Sequence, residues 1–216
     1  MPARNVVKIY TENGFYHIYN RGVEKRKIFL DNQDYSAFLN HLEIYLDPNL
    51  KVKPSGLIHT KSVADEVDLI AYCLMPNHFH LFLKQTTKNG VTKFLRRILT
   101  SYVLYFNKKY EREGSLFQGK PKGVLIESEP YFLHLTRYIH LNPSGLKEAG
   151  NFKDYPYSSY KEYVGARKKD WVKPDAVLNY FKTNTNHNFK NINSYEKFVS
   201  DYGKDSSEIL GILTLE

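Results

Sequence analysis

The sequence predicts an α+β protein built on a ferredoxin-like antiparallel sheet with helices on one face. Strand-like and helical patterns alternate in the order strand, helix, strand, strand, helix, strand. The two middle strands are separated only by Pro76-Asn77, a turn that leads the chain directly back. An additional helix follows the sixth element, and a C-terminal helical appendage follows that helix.

Three segments of the first half are rich in aromatic and β-branched residues and are predicted strands: 15–21, 67–75 and 78–84. A helix is predicted between the first two strands. Asp31 is its candidate N-cap, apolar residues recur at helical spacing as far as Leu46, and Pro48 ends it. Residues 48–67 are predicted to form an irregular connection.

The next elements complete the sheet and add the extra helix. A helix with one apolar stripe is predicted from about 91 to 109. Residues 114–126 contain three glycines and a proline and are predicted to be a loop that enters the fourth strand. Ser128 is a candidate N-cap for the additional helix, with Pro130 in its first turn and Pro143 as its stop.

The composition changes from about Ala166 onward. The segment 183–193 is rich in Asn and Lys, and short amphipathic stretches flank it at 175–181 and 194–202. We therefore predict two units, a main domain over residues 1–165 and the C-terminal helical appendage over residues 166–216.

The overall composition is that of a soluble globular protein. Of the 216 residues, 42% are hydrophobic and 25% are charged, which excludes extensive disorder. The longest apolar run, from Leu69 to Met75, is far too short to cross a membrane. Cys73 is the only cysteine and permits no internal disulfide, as is typical of a reducing compartment. We therefore expect a cytoplasmic protein without a secretory signal or a membrane partner.

The charge balance and the aromatic content suggest a nucleic acid as partner. The 31 Lys and Arg against 23 Asp and Glu give a net charge of +8 and an isoelectric point near 9.3. The chain also has 18 Tyr and 13 Phe. Basic side chains neutralise phosphates, and flat rings stack on unpaired bases. A second interpretation stays open, because aromatics mostly fill cores and many basic proteins bind no nucleic acid.

His78 and His80 are the first candidates for chemistry. Because residues two apart on a strand point to the same face, the two imidazoles project together, while Phe79, Leu81 and Leu83 face the helices. Two imidazoles about 6 to 7 Å apart along a strand can converge on one cation. Since His-x-His also arises by chance, a metal site needs a third ligand.

The additional helix offers that ligand. Tyr138 and Asn142 are four residues apart and therefore lie one turn apart on the same face. An amide oxygen suits Mg²⁺ or Mn²⁺, and two imidazoles shift the preference toward manganese-like ions. A phenol beside such a cation fits phosphoryl transfer, in which the tyrosine oxygen attacks in line. The competing role for Tyr138 is packing. The neighbouring Arg137 would either supply charge to a phosphate or be solvated, and we expect His140 to be structural.

Five segments in one order carry a resemblance to a known family: YHIYNRG (16–22), LMPNHFHLFL (74–83), LFQGKPKG (116–123), RYIHLNP (137–143) and YPYSSY (155–160). Together they are similar to the single-tyrosine transposases of the HUH nuclease superfamily, and more narrowly to the relatives associated with repetitive extragenic palindromes. The resemblance covers roughly residues 10–165, which would be the catalytic domain. It implies cutting and rejoining of single-stranded DNA at hairpins, with the tyrosine linked to a 5′ phosphate and a free 3′ hydroxyl left behind.

The resemblance assigns four roles by position, with Mg²⁺ or Mn²⁺ as cofactor: metal ligand to His78 and His80, nucleophile to Tyr138, and polar metal ligand to Asn142. Many relatives continue Asn-Pro with a Val-Arg-Ala-Gly-like run, whereas residues 144–147 are Ser-Gly-Leu-Lys here, which affects the expected DNA contacts after the helix. Asn142 also precedes Pro143, a position that disfavours helical geometry, so the sequence leaves the direction of its side chain open.

Seven basic residues are candidate DNA contacts: Arg21, Lys25, Arg26, Lys93, Arg97, Lys120 and Lys122. Arg21 ends the first strand beside the sheet face that we expect to be open to a ligand. Lys120 and Lys122 lie in a Gly-rich loop of the kind that follows a nucleic-acid backbone. The competing interpretation is that some of these side chains are merely solvated. The expected partner is single-stranded DNA with a hairpin or palindromic repeats, bound by a monomer or a homodimer.

Two other functions are weighed against a transposase. A host-retained or non-catalytic single-stranded nucleic-acid binding protein of the same fold would be expected to have lost a residue of the site, yet all four candidate positions are filled. A replication or conjugation initiator would share the metal motif but not this order of segments in so short a chain. The sequence does not distinguish a mobile element from a host-retained enzyme.

Overall fold

The computed structural model of the chain describes residues 10–50, 62–146, 151–182 and 194–201. It contains four strands: β1 (Phe15–Arg21), β2 (Val67–Met75), β3 (His78–Gln85) and β4 (Lys122–Ile126). They form one antiparallel sheet in the order β2-β3-β1-β4. This order, with a helix between the first two strands and another between the last two, confirms the predicted ferredoxin-like α+β class.

The described residues form the helices α1 (Asn32–Leu46), α2 (Gly90–Lys109), α3 (Glu129–Leu141), α4 (Tyr160–Tyr163), α5 (Asp175–Lys182) and α6 (Tyr195–Ser200). All but the short α4 follow the predicted pattern closely. Asp31 caps α1 as predicted, because its carboxylate accepts the backbone N–H of Asp34 at 3.0 Å. Ser128 stands at the N-cap position of α3 but makes no side-chain capping bond. None of the helices in the described ranges is long and apolar enough to cross a bilayer.

One face of the sheet carries the larger hydrophobic core. The side chains of Phe79, Leu81 and Leu83 on β3 point to this face, where they pack with α1 and α2 and are fully buried. This confirms the predicted alternation along β3 and fixes the direction of its other side chains. His78 and His80 therefore project from the opposite face.

The opposite face is also covered, so the expectation of an open sheet face is wrong. Phe82 and Cys73 on this face are fully buried, and Leu133 of α3 and Phe198 of α6 belong to the same hydrophobic cluster. The apolar side of α3 needs a surface to pack on, and the sheet supplies it. As predicted, Cys73 is a buried thiol, and burial raises its pKa.

The C-terminal segment packs on the sheet as well. Trp171, which the sequence left without a place, stacks on Tyr72 of β2 with ring centres 5.7 Å apart. Val172 forms an isolated bridge with Leu69. The boundary between residues 165 and 166 stays a prediction, although described residues beyond it share the core of the sheet. Four parts of the chain discussed above lie outside the described residues: 51–61, Lys147, 183–193 and Tyr202.

Candidate active site

Two histidines of β3 form the floor of the candidate site. The rings of His78 and His80 stand nearly perpendicular, with centres 4.9 Å apart. His80 is fully buried and His78 is partly buried. His78 is oriented by its neighbour in the turn, because its Nδ1 lies 2.7 Å from Oδ1 of Asn77. The opposite nitrogen, Nε2, is thereby directed toward α3.

The end of α3 brings Asn142 to the same place. Oδ1 of Asn142 lies 3.3 Å from Nε2 of His78. The residue keeps helical dihedral angles, φ −49° and ψ −41°, although it precedes Pro143. The chain continues from α3 into a 3₁₀ turn over Asn142–Gly145, and Pro143 stands at the start of that turn, where a missing N–H costs little. The direction that the sequence left open is therefore toward His78.

Tyr138 lies one turn before Asn142 and contacts the histidines through its ring. The centre of its ring is 5.3 Å from that of His80, with the rings nearly perpendicular. Tyr138 is partly buried. The structure thus brings all four residues of the predicted site together at one position, between the second face of the sheet and the C-terminal end of α3.

A third histidine in the same place was missed by the sequence analysis. Nε2 of His17, on β1, lies 2.9 Å from Nδ1 of His80, and the two rings are stacked with centres 5.1 Å apart. The ring of His17 is also 6.1 Å from that of Tyr138. The signal was the alternation of β1, which puts His17 and Tyr19 on one face, but only the register of β1 against β3 brings His17 next to His80.

Both metal-ligand candidates on β3 are neutral at neutral pH. Burial lowers the pKa of His78 to about 4, against a partial opposing effect of its hydrogen bond with Asn142. Burial also lowers the pKa of His80 well below its usual value, and the neighbouring His78 and His17 lower it further. A neutral imidazole has a free lone pair, which is the state that a metal ligand requires.

The donor atoms fit a hard or borderline divalent cation. Nε2 of His80 is buried and has no hydrogen-bond partner among the described residues, whereas its Nδ1 is occupied by His17. A buried polar atom without a partner is costly unless something binds it. The three candidate ligand atoms are Nε2 of His78, Nε2 of His80 and Oδ1 of Asn142. In the described part of the chain no three His, Cys, Asp or Glu side chains come together as a metal site, and a cation here would take the amide oxygen of Asn142 as its third protein ligand.

Five of the seven candidate DNA-contact residues lie on β1, on β4 or in the loops that adjoin these two strands. Arg21 pairs with His78 across β1 and β3, and its Nε donates to Oε1 of Gln118 at 2.6 Å. Lys122 pairs with Tyr19, the cross-strand partner of His80, and its Nζ lies 5.9 Å from the centre of the Tyr19 ring. The other three lie in the flanking loops: Lys25, Arg26 and Lys120.

The loop that follows β1 is held in an uncommon conformation beside the site. Glu24 and Lys25 have φ angles of 54° and 59°, in the left-handed region that non-glycine residues seldom occupy. The loop is tied to the turn before His78, because Nδ2 of Asn77 donates to the carbonyl of Lys25 at 3.3 Å. A Cβ on Gly22 would collide with the carbonyl oxygen of Arg26, so only glycine allows the chain to fold back here.

Lys93 and Arg97 lie elsewhere. Nζ of Lys93 forms an ion pair with Oε2 of Glu66 at 2.5 Å. Arg97, one turn further along α2, contributes with Lys93 to the lowered pKa of Glu66, for which the hydrogen bond from Lys93 is the main cause. Glu66 precedes β2 and lies at the end of the sheet where β3 finishes with Gln85. His78, at the other end of β3, is about 24 Å away. The structure does not bring these two residues to the site.

Two neighbours of Tyr138 hold α3 in place. Neither expectation for Arg137 is correct, because its guanidinium is buried and lies 3.7 Å from the ring centre of Phe198. His140 is structural, as expected: its Nδ1 lies 2.6 Å from the hydroxyl of Tyr195 and its Nε2 lies 2.8 Å from Oγ of Ser159. The C-terminal segment therefore supports the helix that carries the tyrosine.

Comparison with known proteins places the chain in a family. The family model described as "Transposase IS200 like" matches residues 16–142. A protein of Haemophilus influenzae, provisionally named a REP-associated tyrosine transposase, is 27% identical over an alignment of 117 residues, and the match covers 48% of this chain and 66% of that protein. The match thus spans just under two thirds of the relative.

One solved structure shares the fold of this chain. A structure described as a REP-associated tyrosine transposase bound to a REP hairpin has a TM-score of 0.54 and 15% identity, covering 79% of this chain and 92% of its own. A transposase-like protein from Deinococcus radiodurans, also 15% identical, covers 64% of this chain and 95% of its own at a TM-score of 0.38. The family model covers more than half of the chain, including the whole candidate site. The chain therefore belongs to the IS200-like transposase family.

Proposed function

We propose that this protein is a single-tyrosine transposase that cuts and rejoins single-stranded DNA at hairpins with a divalent metal ion, Mg²⁺ or Mn²⁺. The observation that carries the proposal is the meeting of Tyr138, His78, His80 and Asn142 at one place, from two elements far apart in the sequence. The hairpin follows from the family and from the relative whose structure is described as bound to a REP hairpin.

The chemistry starts from the hydroxyl of Tyr138. Its oxygen attacks the phosphorus of the scissile phosphodiester, the Tyr138 oxygen–phosphorus bond forms, and the bond from phosphorus to the 3′ oxygen breaks. The proton lost by the phenol is balanced by the proton gained by the leaving 3′ hydroxyl. Rejoining is the reverse, with another 3′ hydroxyl as the nucleophile. A cation bound by His78, His80 and Asn142 would polarise the phosphate and offset its developing charge.

The site also explains how the strand is positioned. Tyr138 is partly buried where α3 packs on the sheet, so only part of its side chain is accessible to the scissile phosphate. Arg21 and Lys122 on neighbouring strands, with Lys25 and Lys120 in the adjacent loops, would supply positive charge to the phosphates of the bound strand. Phosphate contacts of this kind position a strand without reading its sequence.

The decisive experiment is adduct formation. Hairpin-containing single-stranded DNA is incubated with Mn²⁺ and the protein, and the products are separated on a denaturing gel. Tyr138→Phe is expected to abolish the covalent protein–DNA adduct while keeping hairpin binding, because only the attacking oxygen is lost. The matched control is Tyr131→Phe on the same helix, whose side chain is 42% exposed and remote from the histidines. An adduct of normal yield with Tyr138→Phe would overturn the proposal.

The alternative is a non-catalytic single-stranded nucleic-acid binding protein of the same fold. It predicts hairpin binding by the wild-type protein with no adduct under any metal condition. The retention of all four candidate site residues, and the buried unpartnered nitrogen of His80, favour the enzyme instead.

A further inference from the structure

His17 occupies a central position that the proposed chemistry does not use. It lies in the middle of β1, an interior strand of the sheet, between its cross-strand partners Phe82 and Val124. Its side chain is fully buried, and its ring lies 4.9 Å from that of Tyr19. A buried histidine with fixed neighbours on both sides holds its own ring in one orientation, which makes it suitable for orienting a second ring.

The second ring is that of His80. Nε2 of His17 and Nδ1 of His80 are 2.9 Å apart, so one of the two nitrogens carries the proton of this hydrogen bond and the other accepts it. If His80 is to bind a cation through Nε2, that nitrogen must carry no proton, and the single proton of the neutral ring must be on Nδ1. His80 then donates and His17 accepts.

We propose that His17 is a positioning residue for the metal site: by accepting the Nδ1 proton of His80 it fixes the tautomer and the ring orientation that leave Nε2 of His80 available to the cation. This inference rests on the proposed function, whose metal site it completes. His17 itself is not a ligand in this arrangement. Its Nε2 is hydrogen-bonded to Nδ1 of His80, on the opposite side of that ring from the candidate ligand atom Nε2. Partners of this kind commonly orient metal-bound histidines, and losing one costs about 10–100-fold in metal affinity.

The two histidines of β3 are oriented in the same manner. Oδ1 of Asn77 lies 2.7 Å from Nδ1 of His78, so the Nδ1 atom of each ring faces an acceptor. The Nε2 atom of each ring is then left for the cation. For His78 the acceptor is the preceding residue of the same turn. For His80, inside the sheet, the adjacent strand supplies the acceptor through His17.

The first test reads the tautomer of His80 in the metal-free wild-type protein. Long-range ¹H–¹⁵N correlation spectra at pH 7.5 distinguish an imidazole protonated on Nδ1 from one protonated on Nε2. The Nδ1-protonated form is expected for His80, with Nε2 of His17 as its acceptor. An Nε2-protonated His80 would overturn the inference without any variant being made, and it says nothing against Tyr138 as nucleophile.

The second test compares two substitutions. His17→Leu cannot accept a hydrogen bond, whereas the amide oxygen of His17→Gln can take the place of Nε2. Titration calorimetry with Mn²⁺ alone, without DNA, is expected to show affinity reduced about 10–100-fold in His17→Leu and within about threefold of wild type in His17→Gln. Near-ultraviolet circular dichroism and hairpin binding in excess chelator, both expected to be unchanged, establish that the fold is kept.

The outcomes distinguish a failure of the role of His17 from a failure of the proposed metal site. Wild-type Mn²⁺ affinity in His17→Leu, or equal losses in both variants, would overturn the role of His17 and leave the proposed function intact. No Mn²⁺ binding by the wild-type protein would overturn the metal site of the proposed function and this inference with it.

Discussion

The guanidinium of Arg137, the residue immediately before the candidate nucleophile, lies 3.7 Å from the ring centre of Phe198 in α6. Two residues after Tyr138, His140 is hydrogen-bonded to the hydroxyl of Tyr195, also in α6. The candidate nucleophile is thus flanked by two contacts with a helix near the end of the described chain. Each contact is buried, so each contributes to holding α3 against the sheet.

Phe198→Ala should destabilise the protein strongly. The side chain is fully buried, and truncating a buried Phe to Ala costs about 3–5 kcal/mol. Urea unfolding measures the change. Glu196→Gln on the same helix breaks only a surface ion pair with Lys153, so its effect should stay below about 1 kcal/mol. Similar losses for both variants would mean that the contact of α6 with Arg137 adds nothing to the fold.

Stability should fall as the pH is lowered below 6.5, with His140 as one cause. Burial lowers the pKa of folded His140 from 6.5 to about 3, so between these values the unfolded chain binds a proton that the folded chain does not. Unfolding is therefore favoured by about 1.4 kcal/mol for each pH unit in that window.

Comparison with His140→Gln isolates this effect. The variant should be less stable at pH 7.5, because two buried hydrogen bonds are disturbed, but its stability should fall less steeply toward pH 4. Denaturant unfolding at several pH values tests this. Parallel curves for the two proteins would remove His140 as a cause of acid sensitivity.

Asn142 should be needed for metal affinity through its side-chain oxygen. Asn142→Ala is expected to weaken Mn²⁺ binding about 10–100-fold, since a ligand is lost. Asn142→Asp keeps an oxygen ligand and adds a negative charge, so binding should be retained or strengthened. Calorimetry with Mn²⁺ gives both values. Equal affinity in wild type and Asn142→Ala would exclude the amide from the metal site.

The salt dependence of hairpin binding should distinguish the two ends of the sheet. Each phosphate contact contributes about 0.7 to the slope of log affinity against log salt for a single strand. Lys120→Ala combined with Lys122→Ala should reduce the slope by about 1.4. Lys93→Ala combined with Arg97→Ala should leave it unchanged, because these residues lie beside Glu66 at the far end of the sheet. An unchanged slope in the Lys120/Lys122 variant with a reduced slope in the Lys93/Arg97 variant would mean that the DNA runs along α2 instead.

The single-stranded form of the substrate should be cut in preference to a perfect duplex of the same sequence. The phenol of Tyr138 is partly buried where α3 packs on the sheet, so a stiff duplex would approach it less readily than a flexible single strand. One labelled strand, alone and annealed to its complement, is compared at the same salt concentration. Equal cutting of both forms contradicts the proposed substrate class.

Local patterns predicted much of this arrangement. The alternation of β3 was enough to put His78 and His80 on one face, and the four-residue spacing was enough to put Tyr138 and Asn142 on one side of α3. The contact of His17 with His80 was beyond reach, because it depends on the register of two strands more than sixty residues apart.

The predictions that were wrong also depended on contacts between segments far apart in the sequence. The second face of the sheet was expected to be open because nothing local indicates that the C-terminal segment returns to cover it. For that reason Arg137 was expected to meet a phosphate or solvent, whereas Phe198 lies over it. The place of Lys93 among the candidate DNA contacts rested on charge alone and stays a prediction, although the structure puts it in an ion pair with Glu66 at the other end of the sheet.

The position of Phe198 also sets an order of events during synthesis. The ribosome makes the strands with His78 and His80 first, then Tyr138, and reaches Phe198 only several seconds later. During this interval the nascent chain has every candidate site residue but lacks the aromatic ring on which Arg137 rests. A messenger truncated between the two positions would yield a polypeptide with a complete set of reactive groups and an unsupported nucleophile. Translation at least as far as α6 is therefore needed before α3 has this support.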